Sequence, residues 1–194
     1  MINKVVLFGD SVLFGTGASR RSLGCGRILK TLLPRLPIII KGRNRDTTKD
    51  ALERLNADVL GDKESAAVII LFGNNDCRLK NVDEPFVPLP EYEENLSRII
   101  AGIKLNKKIP VLSNLQPIDS HQFYKTLPEM KKFMINIDSP KEWQKKYSLA
   151  CEKVAVKENV RLADITTMLD KFGNAVISGD GLHPNDEGHR MIAR

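Results

Sequence analysis

A three-layer α/β sheet is the fold this sequence predicts, and three observations predict it. Short apolar runs recur along the chain, amphipathic helical stretches separate them, and polar clusters follow the runs. The first strand is expected at Lys4 to Phe8, an apolar run that ends at Gly9 and passes into a loop containing Gly15 and Gly17. A helix around Gly26 to Leu33 follows, then a short buried strand at Ile38, Ile39 and Ile40 after Pro37. Asp46 or Thr47 can cap a helix that carries Leu52 and Leu55 on one face.

Ala66 to Phe72 is the clearest strand, because a continuous apolar run bounded by charges and by Gly73 suits a central parallel strand buried on both faces. A helix beginning near Pro90 places Tyr92, Leu96, Ile99, Ile100 and Ile103 on one stripe. Ile109 to Leu112 is the fourth strand. Ser139, Pro140 and Glu142 combine an N-cap, a first-turn proline and a capping-box glutamate, opening a helix with Trp143, Tyr147, Ala150, Cys151 and Val154 on its apolar face. Val160 to Ala163 supplies the fifth strand. Such alternation implies a parallel sheet covered by helices on both faces, an α/β/α sandwich with right-handed crossovers.

The chain of 194 residues reads as a single domain, 1–194, with an insertion at about 113–138. The insertion is too long for a routine connection, and its Phe123, Tyr124, Met130, Phe133 and Met134 either line a pocket or lid, or form a surface excursion with a small core of its own. Composition is that of a globular protein, 42% hydrophobic and 28% charged, with no apolar run long enough for a membrane span. The apolar N-terminal run is too short for a signal peptide, so a cytoplasmic location is expected. Cys25, Cys77 and Cys151 are odd in number and widely spaced, which indicates reduced thiols rather than a disulfide framework or a metal site. The net charge of +6 comes from scattered Lys and Arg with few interleaved aromatics, which fits solvated helix surfaces better than a nucleic-acid groove.

In an open sheet, ligands bind beyond the carboxyl ends of the strands, and the unusual polar residues of this chain gather there. Asp10 and Ser11 follow the first strand, Asn44 to Asp46 the second, Asn74 to Asp76 the third, and Asp180 to His183 lie beyond the fifth. Serine becomes a useful nucleophile only when a base removes its proton, and the base works best when a carboxylate fixes its tautomer. Asp180 and His183 are three residues apart, so one short loop can deliver both to Ser11. Asn75 offers a side-chain amide for a developing oxyanion; a plain turn at Asn74 and Asn75 is the competing reading.

Three blocks in order carry a resemblance. Gly9-Asp10-Ser11-Val12, Gly73-Asn74-Asn75-Asp76 and Asp180-Gly181-Leu182-His183-Pro184 resemble the first, third and last blocks of the SGNH hydrolase superfamily, the GDSL-like lipases, acylhydrolases and esterases. That resemblance implies a flavodoxin-like five-stranded parallel sheet, Ser11 as nucleophile, His183 as general base and then acid, and Asp180 as the orienting carboxylate. It implies an oxyanion hole from Ser11, Asn75 and a backbone amide of the second block, with Asp10, Gly73 and Arg45 as candidate substrate contacts and no metal or organic cofactor. The second block departs from the pattern: Gly42-Arg43-Asn44-Arg45-Asp46-Thr47 places Arg45 where the family carries glycine. The Arg45 amide can donate only if its backbone reaches a conformation open to a residue with a Cβ, and its side chain can recognise an anion, restrict entry, or point to solvent. Asp10 and Asp76 also have an architectural reading, tying loops together.

The expected activity is hydrolysis of short-chain acyl or acetyl esters of small molecules, with thioesters or lysophospholipids as the alternative within the family. Two other readings compete: a scaffold that Arg45 has deprived of turnover, and a non-catalytic flavodoxin-like module that holds a phosphate at Gly15 and Gly17.

Overall fold

A computed structural model describes residues 2–194. Strand β1 (Val5–Gly9) leads through a single turn of helix, α1 (Ser11–Phe14), to α2 (Cys25–Leu32) and β2 (Ile38–Gly42). Helix α3 (Thr48–Leu55) and β3 (Ala67–Leu71) follow, then a small hairpin of β4 (Leu79–Asn81) and β5 (Glu84–Pro85). The rest of the chain comprises α4 (Leu89–Leu105), β6 (Ile109–Ser113), α5 (Ser120–Thr126), α6 (Pro140–Lys157), β7 (Arg161–Ala163), α7 (Ile165–Asp170) and α8 (Asp186–Ile192). Five parallel strands form one sheet in the order β2-β1-β3-β6-β7.

Side-chain alternation along the central strands divides the core into two layers. Val6 and Phe8 of β1 and Val68 and Ile70 of β3 face α3, α4 and α6, whose Leu55, Leu96, Ile99, Tyr147 and Val154 complete that layer. Val5 and Leu7 of β1 and Ala67 and Leu71 of β3 face Val12, Cys25, Ile165 and Ala193 on the opposite side. The expected stripe of α4 is buried in full. All three cysteines are buried free thiols.

Helix starts follow local chemistry. Thr47, not Asp46, caps α3: its Oγ1 accepts from the Asp50 amide while the Asp50 carboxylate accepts from the Thr47 amide. Ser139 caps α6 by accepting from the Glu142 amide at 3.1 Å, but the expected return contact is missing, because Glu142 turns toward Lys145. The hairpin, α5 and α7 are elements that the sequence pattern did not reveal.

The order of the strands reverses beside β1: the chain steps from β1 outward to β2, then returns to place β3 on the other flank. This is the switch point at which open α/β sheets leave a crevice. Ser11 follows β1 there, and Asn75 follows β3.

Candidate active site

Ser11 opens α1, held by the residue before it. The Asp10 carboxylate caps the turn by accepting from the Val12 amide at 2.9 Å, and Gly15 ends it in a left-handed conformation. Ser11 Oγ lies 2.9 Å from His183 Nε2, and His183 Nδ1 lies 2.6 Å from Asp180 Oδ2. Asp180 Oδ1 accepts from the Ser178 hydroxyl and from the amides of Leu182 and His183 at 2.7 to 2.9 Å. Burial works against the Asp180 charge, but these donors together with the His183 ring outweigh it and hold the carboxyl well below the usual carboxylate range.

Two close approaches fix the loop that carries Asp180 and His183. A Cβ on Gly17, whose φ is +94°, would lie 2.3 Å from the Pro184 carbonyl oxygen and 2.7 Å from His183 Cβ. A Cβ on Gly181 would lie 2.3 Å from the Phe123 amide in the middle of α5. The segment between β6 and α6 therefore buttresses this loop, and the Asp119 amide donates to the Gly181 carbonyl at 2.9 Å. The Gly15 and Gly17 loop packs against Gly24 and Pro184, so its glycines serve close packing, not a phosphate cradle.

Three residues of the cavity offer donors. The amides of Ser11 and Arg45 have no acceptor among the described residues. Asn75 Nδ2 spends one hydrogen on the Asp46 carbonyl at 3.0 Å and keeps a second. Arg45 adopts φ +69°, the left-handed region in which glycine is unstrained.

Ser11, Arg45, Asn75 and His183 line one cavity of about 360 Å³. Its apolar wall comes from Phe123, Leu127, Met130 and Met134, with Leu79 and Trp143 beside them. Of the apolar residues that the sequence singled out in this segment, Phe123, Met130 and Met134 line the cavity and Tyr124 and Phe133 do not; all five pack in one cluster that also includes Leu79. Asp10 and Gly73, expected among the substrate contacts, do not line the cavity. Asp10 is fully buried, accepting from Val12 and, at 3.1 Å, from Asn74 Nδ2; burial pushes its carboxyl up to about 6. Gly73 lies under the Tyr92 hydroxyl and Leu115, with no room for a Cβ.

Sequence reasoning named Asn74 only within its block or as a turn, and missed Gln116, Gln144 and Arg54, which join the blocks. Asn74 exchanges hydrogen bonds with Gln116, accepts from Gln144 at 3.0 Å, and reaches Asp10; Gln116 Nε2 in turn donates to the Leu182 carbonyl at 3.0 Å. Arg54, only 8% exposed, binds the Asp46 and Asp58 carboxylates and the carbonyls of Gly9 and Lys41 while lying over the Phe8 ring. The other two histidines stand apart: His121 is exposed on α5, and His189 is buried between the Cys25 amide and the Thr16 carbonyl. Cys77 borders the cavity, but burial and the neighbouring Asp76 and Asp10 raise its thiol, keeping it protonated and unreactive.

The family model of the GDSL-like lipases and acylhydrolases matches residues 7–191. The chain belongs to this family, and with it to the carboxylic ester hydrolases. A GDSL esterase/lipase of Arabidopsis thaliana is 28% identical over 204 residues, covering 99% of this chain and 83% of the relative. The isoamyl acetate-hydrolyzing esterase 1 homolog of Rattus norvegicus is 28% identical over 201 residues, covering 97% of this chain and 78% of that protein. Among solved structures, the lipase/acylhydrolase from Enterococcus faecalis superposes with a TM-score of 0.80 at 24% identity, over 99% of this chain and 92% of that one. No described helix of this GDSL-like hydrolase is long and apolar enough to cross a membrane.

Proposed function

We propose that the protein hydrolyses small-molecule esters with short acyl chains, acetyl esters among them, by two-step acyl transfer. One observation carries this reading: the hydrogen-bonded chain Ser11–His183–Asp180 opens onto an apolar cavity that also contains unspent donors. In the first step Ser11 Oγ attacks the acyl carbon as His183 Nε2 takes its proton. Asp180 holds the ring so that Nδ1 keeps its hydrogen, and its negative charge steadies the imidazolium. The carbonyl oxygen, now negative, is met by the Ser11 and Arg45 amides and by the free hydrogen of Asn75 Nδ2. Collapse of the tetrahedral intermediate breaks the ester C–O bond, and His183 returns the proton to the departing alcohol. In the second step His183 takes a proton from water, hydroxide attacks the acyl-enzyme, and the acid leaves as Ser11 recovers its hydrogen.

The size of the cavity supports a short acyl group, since side chains of Phe123, Met130 and Met134 bound it. The relative named for isoamyl acetate hydrolysis points the same way. The test is hydrolysis of p-nitrophenyl acetate and longer homologues by purified protein, with Ser11→Ala as control. The reading expects turnover that peaks at short chains and is lost in the variant. Equal rates for the two proteins, or none for either at any chain length, would overturn it.

A further inference from the structure

The residues that line the cavity include Arg45, Arg78 and His183, and no aspartate or glutamate. Elsewhere at this end of the sheet, arginine charges are spent on carboxylates. Arg54 pairs with Asp46 and Asp58, and Arg43 with Asp58. Arg45 and Arg78 are exposed and have neither an ion-pair partner nor a side-chain hydrogen bond among the described residues. The Arg78 guanidinium lies 4.3 Å over the centroid of the Phe86 ring, a cation–π contact. Partial burial and the charge of Arg45 both pull Arg78 below its ordinary value, as expected for two cations sharing a cleft without a counter-ion.

The backbone adds an independent observation. Arg45 sits at φ +69°, where glycine would be relaxed, so its side chain is kept at a cost to the fold. That side chain has no hydrogen bond or ion pair among the described residues to repay the strain, and Arg45 lines the cavity. A bound anion would supply the missing partner to both guanidinium groups.

We propose that the substrate is an amphipathic ester carrying a carboxylate or phosphate, with Arg45 and Arg78 binding that anion and the Met130 and Trp143 wall holding the apolar part. The proposal deepens the hydrolase reading above and rests on it for turnover, but its binding component can be tested apart. Matched esters separate the sources of charge: phenyl butyrate against 4-carboxyphenyl butyrate and 4-(phosphonooxy)phenyl butyrate, and phenyl valerate against monophenyl glutarate. The readout is the ratio of kcat/KM for charged over neutral ester in wild type, divided by the same ratio in Arg78→Gln and in Arg45→Gln, which cancels leaving-group effects. For at least one charged ester this quotient is expected to reach about tenfold and to shrink as ionic strength rises. The ester that responds identifies the anion and the half of the substrate that bears it. Quotients near one for every charged ester would overturn the proposal while leaving the hydrolase reading intact.

If wild type turns over neither neutral nor charged esters, the hydrolase reading fails and binding decides the rest. Trp143 is the only tryptophan of the chain and borders the cavity, so its fluorescence reports occupancy. Titration of Ser11→Ala with monobutyl phosphate and with monobutyl succinate is expected to give saturation by one of them, weakened about tenfold when Arg78→Gln is added. No saturation at millimolar ligand, or saturation indifferent to Arg78, would overturn the anion site.

Discussion

The side-chain amide of Asn75 donates to the backbone carbonyl of Asp46 at 3.0 Å, joining the loop after β3 to the loop after β2. One bond thus orients Asn75 and steadies the turn that presents the Arg45 amide. The second Asn75 hydrogen is the donor assigned to the oxyanion. Asn75→Ala is expected to lower kcat by about 10²- to 10³-fold with a much smaller change in KM, since the lost interaction belongs to the transition state. Steady-state kinetics on a short ester measure this, with thermal melting to show that the fold is retained. A fall confined to KM would remove Asn75 from the oxyanion hole.

Gly17 offers a test of how the histidine loop is held. With Pro184 O at 2.3 Å and His183 Cβ at 2.7 Å from the position of an added methyl, and φ at +94°, Gly17→Ala must push the two loops apart. Displacing His183 by about 1 Å is enough to cost roughly 10²-fold in kcat. The variant is expected to keep its far-ultraviolet circular dichroism while losing most activity. Full activity in a folded variant would show that the Ser11 to His183 distance does not depend on this contact.

Sheet strands were legible because central parallel strands are buried on both faces and so read as unbroken apolar runs; Ala66 to Phe72 is the clear case, within one residue of β3 at each end. The hairpin was not, since Lys80, Asn81 and Glu84 are exposed or nearly so and alternate nothing apolar across two to three residues. Helix α7 is six residues long and carries Thr166 and Thr167, too short and too β-branched for helical periodicity to register. Ser11, Asn75, Asp180 and His183 stood out because glycine-bounded polar residues at strand ends are unusual; the structure brings Ser11, Asn75 and His183 to one cavity and places Asp180 behind His183. Asp10 carried two readings: the substrate contact fails, and the architectural one holds, because the side chain turns inward to cap α1 and bind Asn74. Arg54 gave no signal, because an arginine on an amphipathic helix reads as a solvated charge until tertiary structure closes over it.

Arg45 allows its strain to be measured directly. A residue with a Cβ in the left-handed region is less stable than glycine there, and Arg45 makes no hydrogen bond or ion pair among the described residues to offset this. Arg45→Gly is therefore expected to raise unfolding free energy by about 0.5–1 kcal/mol in urea, even after allowance for the greater freedom of glycine in the unfolded chain. Unchanged or lower stability would mean that the arginine side chain contributes packing that compensates its backbone.

Asp76 should leave a pH signature on stability. Its Oδ1 accepts from the Thr48 amide and hydroxyl at 2.9 and 2.5 Å, its Oδ2 has no partner among the described residues, and burial pushes its carboxyl up to about 7. In the unfolded chain an aspartate ionises near pH 4, so between about pH 4 and 7 the unfolded state releases a proton that the folded state retains. Stability from this group is therefore complete below pH 4, declines as pH rises by up to about 1.4 kcal/mol per unit, and levels off above pH 7. Wild-type stability alone would not reveal it, because buried His189, shifted down, and Asp180 and Asp58, also shifted down, favour higher pH. The difference between wild type and Asp76→Asn isolates it, since asparagine keeps the acceptor for Thr48 and cannot ionise. Urea unfolding at a series of pH values should show the variant gaining on wild type between pH 4 and 7 and running parallel above. Curves parallel throughout would mean that Asp76 is ionised in the folded protein, with its charge met by donors in the loop.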